Sequence, residues 1–385
     1  MATTTGTGQG FCEAILLHLN SITGQNYPGK KVTVPGFTQM LLDQPDTPTV
    51  IQDGFMGGQK RPVRVKYSSR GTIGQVSTVD NCQVDVQPLF KEVDVTISNF
   101  VSKGFWIPDD LMRQYCIDAT NTVTVGVPPT PLMAQVLAYI LEGMNSLYQK
   151  QEQVLTTAMA SSFGKHIATG SANAVAVNIE QDGNLNDLTA GVLKMLTDAE
   201  THEFCGTPMF VGALGGLMHS YDIQRRNRGL YPGVGLDNAG LLDASGFKFY
   251  ASGQTGSTWG TQHVGMFAPG SAHYLEYLQN VGAWAGQRED GSVFSTIVDP
   301  RVQCWGTNGV GNVRWDMQVR YASCPEDVEN FISSGYLSNS SISGRGYYIR
   351  IYKYYDLFTT PTDAYDGADR LAGTNDTLRY SLTNT

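Results

Sequence analysis

The sequence predicts an α+β chain organised around one long helix. Three observations predict this class. Helical periodicity runs almost unbroken from Pro131 to Phe163. Period-two alternation appears in Val63, Val65 and Tyr67 and again in Val93, Val95 and Ile97. Residues 185–290 then mix helical and strand patterns, and the chain closes on two strongly alternating runs, Val313 to Tyr321 and Tyr347 to Leu357.

Residues 1–10 are rich in Thr and Gly and read as an extended arm. Phe11 to Leu19 reads as a short helix through Ile15, Leu16 and Leu19. Residues 29–60 read as irregular, because Pro35, Pro45, Pro48, Gly54, Gly57 and Gly58 break any long element. From Pro62 two strands follow, each with one apolar and one polar face. Ser68 to Asp85 between them is polar and carries Arg70, Gly71, Gly74 and Asp80. Such a pair is either a protruding arm or a hairpin lying flat on its own domain, and the residues alone favour the second.

The long helix has its own start and stop signals. Thr130 supplies a hydroxyl cap ahead of Pro131 at the first helical position, and Gly164 follows Phe163. Leu132, Val136, Tyr139, Ile140, Met144, Leu147, Val154, Leu155, Ala158 and Met159 recur near helical period. At 1.5 Å per residue the rod is about 50 Å long. Glu142, Lys150 and Glu152 are its charged residues. A rod with so little charge is covered by several neighbours and acts as a spine.

Beyond it, Leu185 to Glu203 reads as an amphipathic helix, Pro208 to Gly212 as a strand and Ala213 to Arg226 as a helix. Phe247 to Ala251 and His263 to Ala268 read as strands, and Thr359 to Thr385 as a polar, turn-rich end. The 385 residues suffice for two or three domains. Only 16% are charged, against about 25% in an average soluble chain. With 43 glycines and 19 tyrosines this fits either a turn-rich body buried against other subunits or a secreted β-protein. A net charge of −9 argues against general affinity for nucleic acid, which needs clustered Lys and Arg. The start MATTTGTGQG lacks the basic and apolar regions of a signal peptide, and no apolar run suits a membrane span. Cys12, Cys82, Cys116, Cys205, Cys304 and Cys324 lack CxxC spacing and read as reduced thiols.

Motifs that would carry catalysis are missing or incomplete. Gly306 to Gly311 and Gly233 to Gly240 lack the strand, helix and spacing of a dinucleotide loop and read as turns. Ser162-Phe-Gly-Lys165 lacks the upstream glycine of a phosphate loop. The histidines (18, 166, 202, 219, 263 and 273) show no metal spacing, and His202 beside Glu200 and Glu203 reads as a solvated helix end. No GxSxG occurs, and Asp109-Asp110 and Glu289-Asp290 read as caps or solvated acids. Catalytic, cofactor and metal sites are therefore expected to be absent. Arg225, Arg226 and Arg228 lie together in Ser220 to Gly233, either as an intersubunit contact or as a solvated loop.

This order of parts resembles the major capsid proteins of tailed bacteriophages, the Hong Kong-type capsid fold. The matching features are the arm, the two-stranded loop from Pro62 to Phe100, the spine helix, and a later domain. That domain would hold Pro208-Met-Phe-Val-Gly212, the Arg225 to Arg228 loop and Phe247 to Ala251, and the segment His263 to Gly270 followed by the strand Val313 to Tyr321 completes the pattern. The resemblance implies an arm over 1–60, an extended hairpin loop over 61–104, and a peripheral domain over 105–184 with its spine at 131–163. It further implies an axial domain over 185–295 and a returning β-rich segment over 296–385. It implies self-assembly into pentamers and hexamers, an icosahedral shell around phage double-stranded DNA held non-specifically, and partners such as portal, scaffold or decoration proteins. Scaffold would be a separate protein. The expected location is the virion, assembled in the host bacterial cytoplasm without a membrane. Arg225, Arg226, Arg228, Arg70 and Asp80 become candidate intersubunit contacts, with the arginine loop placed at a symmetry axis. The competing readings are a cellular nanocompartment shell of the same fold and a β-rich soluble enzyme.

Overall fold

A computed structural model describes residues 34–44, 49–52, 62–68, 90–108, 131–182, 185–187, 189–204, 206–213, 248–277, 284–287, 293–305, 312–322, 325–333, 342, 344–360 and 375–384. Their elements are, in chain order, α1 (Gly36–Leu42), β1 (Thr49–Gln52), β2 (Pro62–Ser68), β3 (Phe90–Thr96), β4 (Asn99–Pro108) and α2 (Pro131–Ala160). Next come β5 (Val175–Asp182), β6 (Leu185–Asp187), α3 (Thr189–Thr201), β7 (Met209–Gly212), β8 (Lys248–Ala251) and α4 (Gly253–Thr258). The last are β9 (His263–Phe267), β10 (Ala272–Tyr277), β11 (Trp284–Gln287), β12 (Val293–Trp305), β13 (Asn312–Ala322), α5 (Pro325–Ser333), β14 (Gly346–Thr359) and β15 (Thr377–Asn384). The chain is α+β.

It divides into two units, each assembled from separate stretches of sequence. The first takes Met1–Val34, Asn99–Gln151 and Glu276–Tyr355, and the second takes Pro35–Ser98, Glu152–Leu275 and Asp356–Thr385.

In the first unit β11, β12, β13 and β14 follow one another antiparallel. β4 joins the far side of β14, from Pro108 opposite Gly346 to Asn99 opposite Tyr355. Alternation along β4 sends Val101, Phe105 and Ile107 inward. On the same face Lys103 Nζ donates to Ser146 Oγ of α2 at 3.0 Å. On the other face the Arg350 guanidinium lies over the Phe100 ring at 5.0 Å. Lys353, fully buried, pairs with Glu276, as a buried ammonium requires.

The second unit holds a mixed sheet in the order β6-β5-β15-β9-β7-β8. β15 is parallel to β5 and antiparallel to β9. α3 contributes Val192, Met195 and Ala199 to a core completed by Val177, Phe210, Val264, Met266, Leu378, Tyr380 and Leu382. A separate antiparallel sheet runs β1-β2-β3, with Val63 opposite Val95 and Val65 opposite Val93. That register brings together the two apolar faces that the alternation predicts.

The sequence reading and the structure differ at identifiable places. α2 ends at Ala160, three residues short of Phe163. Ser161 and Ser162 close it, because both hydroxyls bond the carbonyl of Ala158 and compete with further helix. Residues 36–42, expected to be irregular, form α1, whose cap comes from the distant Glu152 and not from its own neighbours. The polar end contains β15, an interior strand of the sheet, whose Leu378, Tyr380 and Leu382 alternate inward. Phe11 to Leu19, Ala213 to Arg226 (apart from Ala213) and the tip Ser68 to Asp85 (apart from Ser68) lie outside the described residues.

Gly143 of α2 is where the helix meets β4: a methyl group there would sit 2.2 Å from Phe105 Cζ. Phe105 is buried and has no room to retreat. Glycine-to-alanine changes inside helices ordinarily stabilise by about 1 kcal/mol. Gly143→Ala is expected to reverse that sign and cost about 1–3 kcal/mol through overpacking. Urea denaturation followed by circular dichroism reads the difference.

Candidate functional site: a buried carboxylate joint

Of the three charged residues in the helix, Glu142 and Lys150 are exposed, whereas Glu152 is 0% exposed. Glu152 belongs to the stripe that buries Tyr148, Leu155 and Met159, spaced by four, three and seven residues from it. Its carboxylate therefore enters the interior of the second unit, where no cation among the described residues pairs with it.

Four donors converge on it. Oε1 accepts from the Phe37 N–H at 2.8 Å and from Ser252 Oγ at 2.6 Å. Oε2 accepts from the Thr38 N–H at 2.8 Å and from Thr38 Oγ1 at 2.6 Å. Two of these donors are among the otherwise unpaired amides that begin α1, where backbone dipoles favour an anion. Burial pushes the Glu152 pKa above its ordinary value, and the bonds from Ser252, Thr38 and Phe37 oppose that rise.

The segment so held is tied at further points. The Phe37 ring meets Trp259 edge-on at 5.6 Å and Phe267 at 5.7 Å. Tyr250 donates to Asp43 Oδ2 at 2.8 Å, and Gln44 Oε1 accepts from the Gly270 N–H at 2.7 Å. Trp259 Nε1 donates to the Thr156 carbonyl of α2 at 2.8 Å. Gly36 lets α1 approach β8 closely, since a Cβ there would lie 2.1 Å from the Ala251 carbonyl oxygen.

Chemically, this carboxylate is closed. Both oxygens are occupied and the residue is sealed from solvent, so it can neither accept a proton from a substrate nor attack one. Its role is to fix backbone. Among the described residues no group of three His, Cys, Asp or Glu is placed to hold a metal ion, and no helix is long and apolar enough to cross a membrane.

The candidate contacts Arg70, Asp80, Arg225, Arg226 and Arg228 lie outside the described residues. So do the glycine clusters and the paired acids 109–110 and 289–290; of the cysteines, only Cys304 is described, in β12. His202 is corrected: it is 2% exposed and not a solvated helix end. Its ring folds back onto the Asp198 carbonyl at 2.8 Å and accepts the Ile167 N–H at 3.0 Å.

No family model matches the chain, and no curated protein matches it. Among solved structures it is similar to a virus-like particle from Pyrococcus furiosus, at 10% identity and TM-score 0.41, covering 96% of this chain and 99% of that one. It is similar to the capsid of cyanophage P-SCSP1u at 11% identity and TM-score 0.41, covering 94% and 93%. It is similar to a structure from Mycobacterium phage Adephagia at 9% identity and TM-score 0.41, covering 93% and 92%.

Replacing Glu152 by Gln keeps the shape and removes one acceptor oxygen. The new NH2 then faces one backbone N–H, which loses its bond, and one hydroxyl, which can turn to accept from it. Each buried unsatisfied donor costs about 1–3 kcal/mol. Glu152→Gln is expected to lower stability by about 1–3 kcal/mol, measured by the shift in denaturation midpoint of the chain's tryptophan fluorescence.

Proposed function

We propose that this chain is the major structural subunit of an icosahedral bacteriophage shell that encloses double-stranded DNA. The observation that carries the reading is the joint occurrence of two elements in one chain. The strand pair β2 and β3 is separated by the long polar stretch 69–89, and a 30-residue helix follows with one buried carboxylate on its apolar stripe. The order arm, strand pair, long helix and mixed-sheet unit is the one the resemblance to tailed-phage capsid proteins calls for.

In this reading residues 1–60 are the arm, 61–104 the extended loop, 105–184 the peripheral domain, 185–295 the axial domain and 296–385 the returning segment. The loops, and the arm apart from the segment 36–44 that Glu152 fastens within its own unit, reach over neighbouring copies in pentamers and hexamers. Many weak contacts repeated around closed symmetry sum to a stable shell, so no single contact need be strong. The acidic balance suits a container that holds DNA without gripping it. In this reading the subunit acts without catalysis. Its location is the virion, with assembly in the bacterial cytoplasm alongside portal, scaffold or decoration proteins.

Sizing and negative-stain imaging of the purified chain test the proposal. Particles hundreds of ångströms wide that enclose double-stranded DNA when isolated from infected cells support it. Particles filled with protein cargo instead point to a nanocompartment, and a persistent 41.9 kDa monomer points to an enzyme.

Two variants test the parts. Removing 69–85 and closing the strands with a short turn is expected to leave a folded protein that forms no closed shells; normal particles would make the loop local structure. Arg225, Arg226 and Arg228, brought into a ring at an axis, would repel one another unless acids such as Asp222 or Asp237 lie between them. Arg225→Glu with Arg226→Glu is expected to abolish pentamers and hexamers at low and at high salt. Unimpaired capsomers at low salt would return these arginines to the solvated surface.

A further inference from the structure

The turn after α2 is held by a buried cluster that the shell reading leaves unused. His166 lies in this turn at 1% exposure. Its N–H donates to the Ser171 carbonyl at 2.9 Å, and its own carbonyl accepts the Gly170 N–H at 2.8 Å. Its ring Nε2 is 2.9 Å from the Arg379 carbonyl of β15. A carbonyl only accepts, so Nε2 carries the hydrogen and Nδ1 of the neutral ring is a bare lone pair. Nδ1 has no hydrogen-bond partner among the described residues and lies 3.9 Å from Asp198 Oδ2 of α3. Burial and the nearby Asp198 carboxylate push the Tyr380 hydroxyl pKa up. The His166 ring sits edge-on to Tyr380 at 5.2 Å and to His202 at 6.1 Å.

His202 supports the same turn from α3. Its Nδ1 donates to the Asp198 carbonyl, which leaves Nε2 free to accept the Ile167 N–H. Two rings in fixed neutral tautomers therefore hold consecutive residues, 166 and 167, of one turn.

We propose that this cluster is an acid-operated clasp: neutral His166 holds the turn 164–171 against α3 and β15, and its protonation releases the turn.

The charged and titratable groups around the ring decide the direction. From α3 come the Asp198 carboxylate and His202, from β15 the Arg379 guanidinium and Tyr380, and from the turn itself the exposed Lys165. Burial opposes a second proton most strongly; His202 and Arg379 add to it, and the Arg379 carbonyl and Asp198 only partly offset it. The folded ring thus titrates below the ordinary value of 6.5. An unfolded His166 takes up its proton near pH 6.5, and the folded one only at lower pH. The stabilisation is complete above pH 6.5 and is lost as pH falls from there through the folded pKa. Within that window the opening equilibrium grows by up to about tenfold per pH unit. None of this depends on the shell reading.

Hydrogen exchange read by mass spectrometry on the full chain tests the clasp, at pH 7.5 and 5.5 with times scaled for intrinsic exchange. The His166 and Gly170 amides are expected to lose up to about tenfold in protection at pH 5.5, relative to β9 and β15. His166→Gln keeps an N–H donor for the Arg379 carbonyl but cannot titrate, so its protection should be alike at both pH values. Absence of the loss in the natural chain, or an equal loss in the variant, overturns the proposal. Should the variant fail to fold, exchange of the His166 C2 hydrogen in the natural chain reads its protonation midpoint directly. A midpoint below 6.5 supports the clasp, and one at or above 6.5 overturns it.

Discussion

A buried anion, with no cation paired to it among the described residues, organises the second unit. An isolated carboxylate moved from water to the protein interior loses many kcal/mol of solvation, and Glu152 recovers it only through the four donors around it. Those donors come from two places far apart in sequence, residues 37–38 and residue 252. Neither place can move without exposing a bare buried charge. The joint is therefore cooperative: α1, the turn before α4 and the helix α2 are each held by a group that the others also need. The ring cluster of Phe37, Phe163, Trp259 and Phe267 lies in the same unit and adds packing to the polar bonds.

The same logic governs how the chain is divided. Each unit is made of separate stretches, so local sequence does not close either one. β15 lies between β5, which is more than two hundred residues earlier, and β9. Contacts of such separation carry a loop-closure cost that local elements avoid. Ties such as Gly164 N–H to the Thr377 carbonyl, at 2.8 Å, fasten the end of α2 to the start of that last strand.

What the sequence made legible follows from this division. Elements defined by their own periodicity read well: α2, the β2–β3 pair, α3, β7, β9, β13 and β14. Elements defined by distant partners did not. α1 begins with Pro35 and Gly36, which read locally as breakers, and its cap is a side chain more than a hundred residues away. β15 carries the alternation Leu378, Tyr380, Leu382, but the polar residues between and around them make the end read as turns, and its place between β5 and β9 is what reveals it. The joint left one usable trace. Glu152 falls on the helical stripe of Tyr148, Leu155 and Met159, and an acid on an apolar stripe signals a buried partner set. The His166 cluster left less, because its ties run to main-chain carbonyls and amides, which no residue pattern records.

The account stands on Glu152 making α1 part of the unit's core instead of a strap laid on its surface. Native-state hydrogen exchange of the Phe37 and Thr38 amides tests this most directly. If the carboxylate holds them, both should open only with the second unit as a whole, with protection equal to that of the interior strands β9 and β15. Exchange of these two amides at the rate of exposed loop amides, while β9 and β15 stay protected, would contradict it.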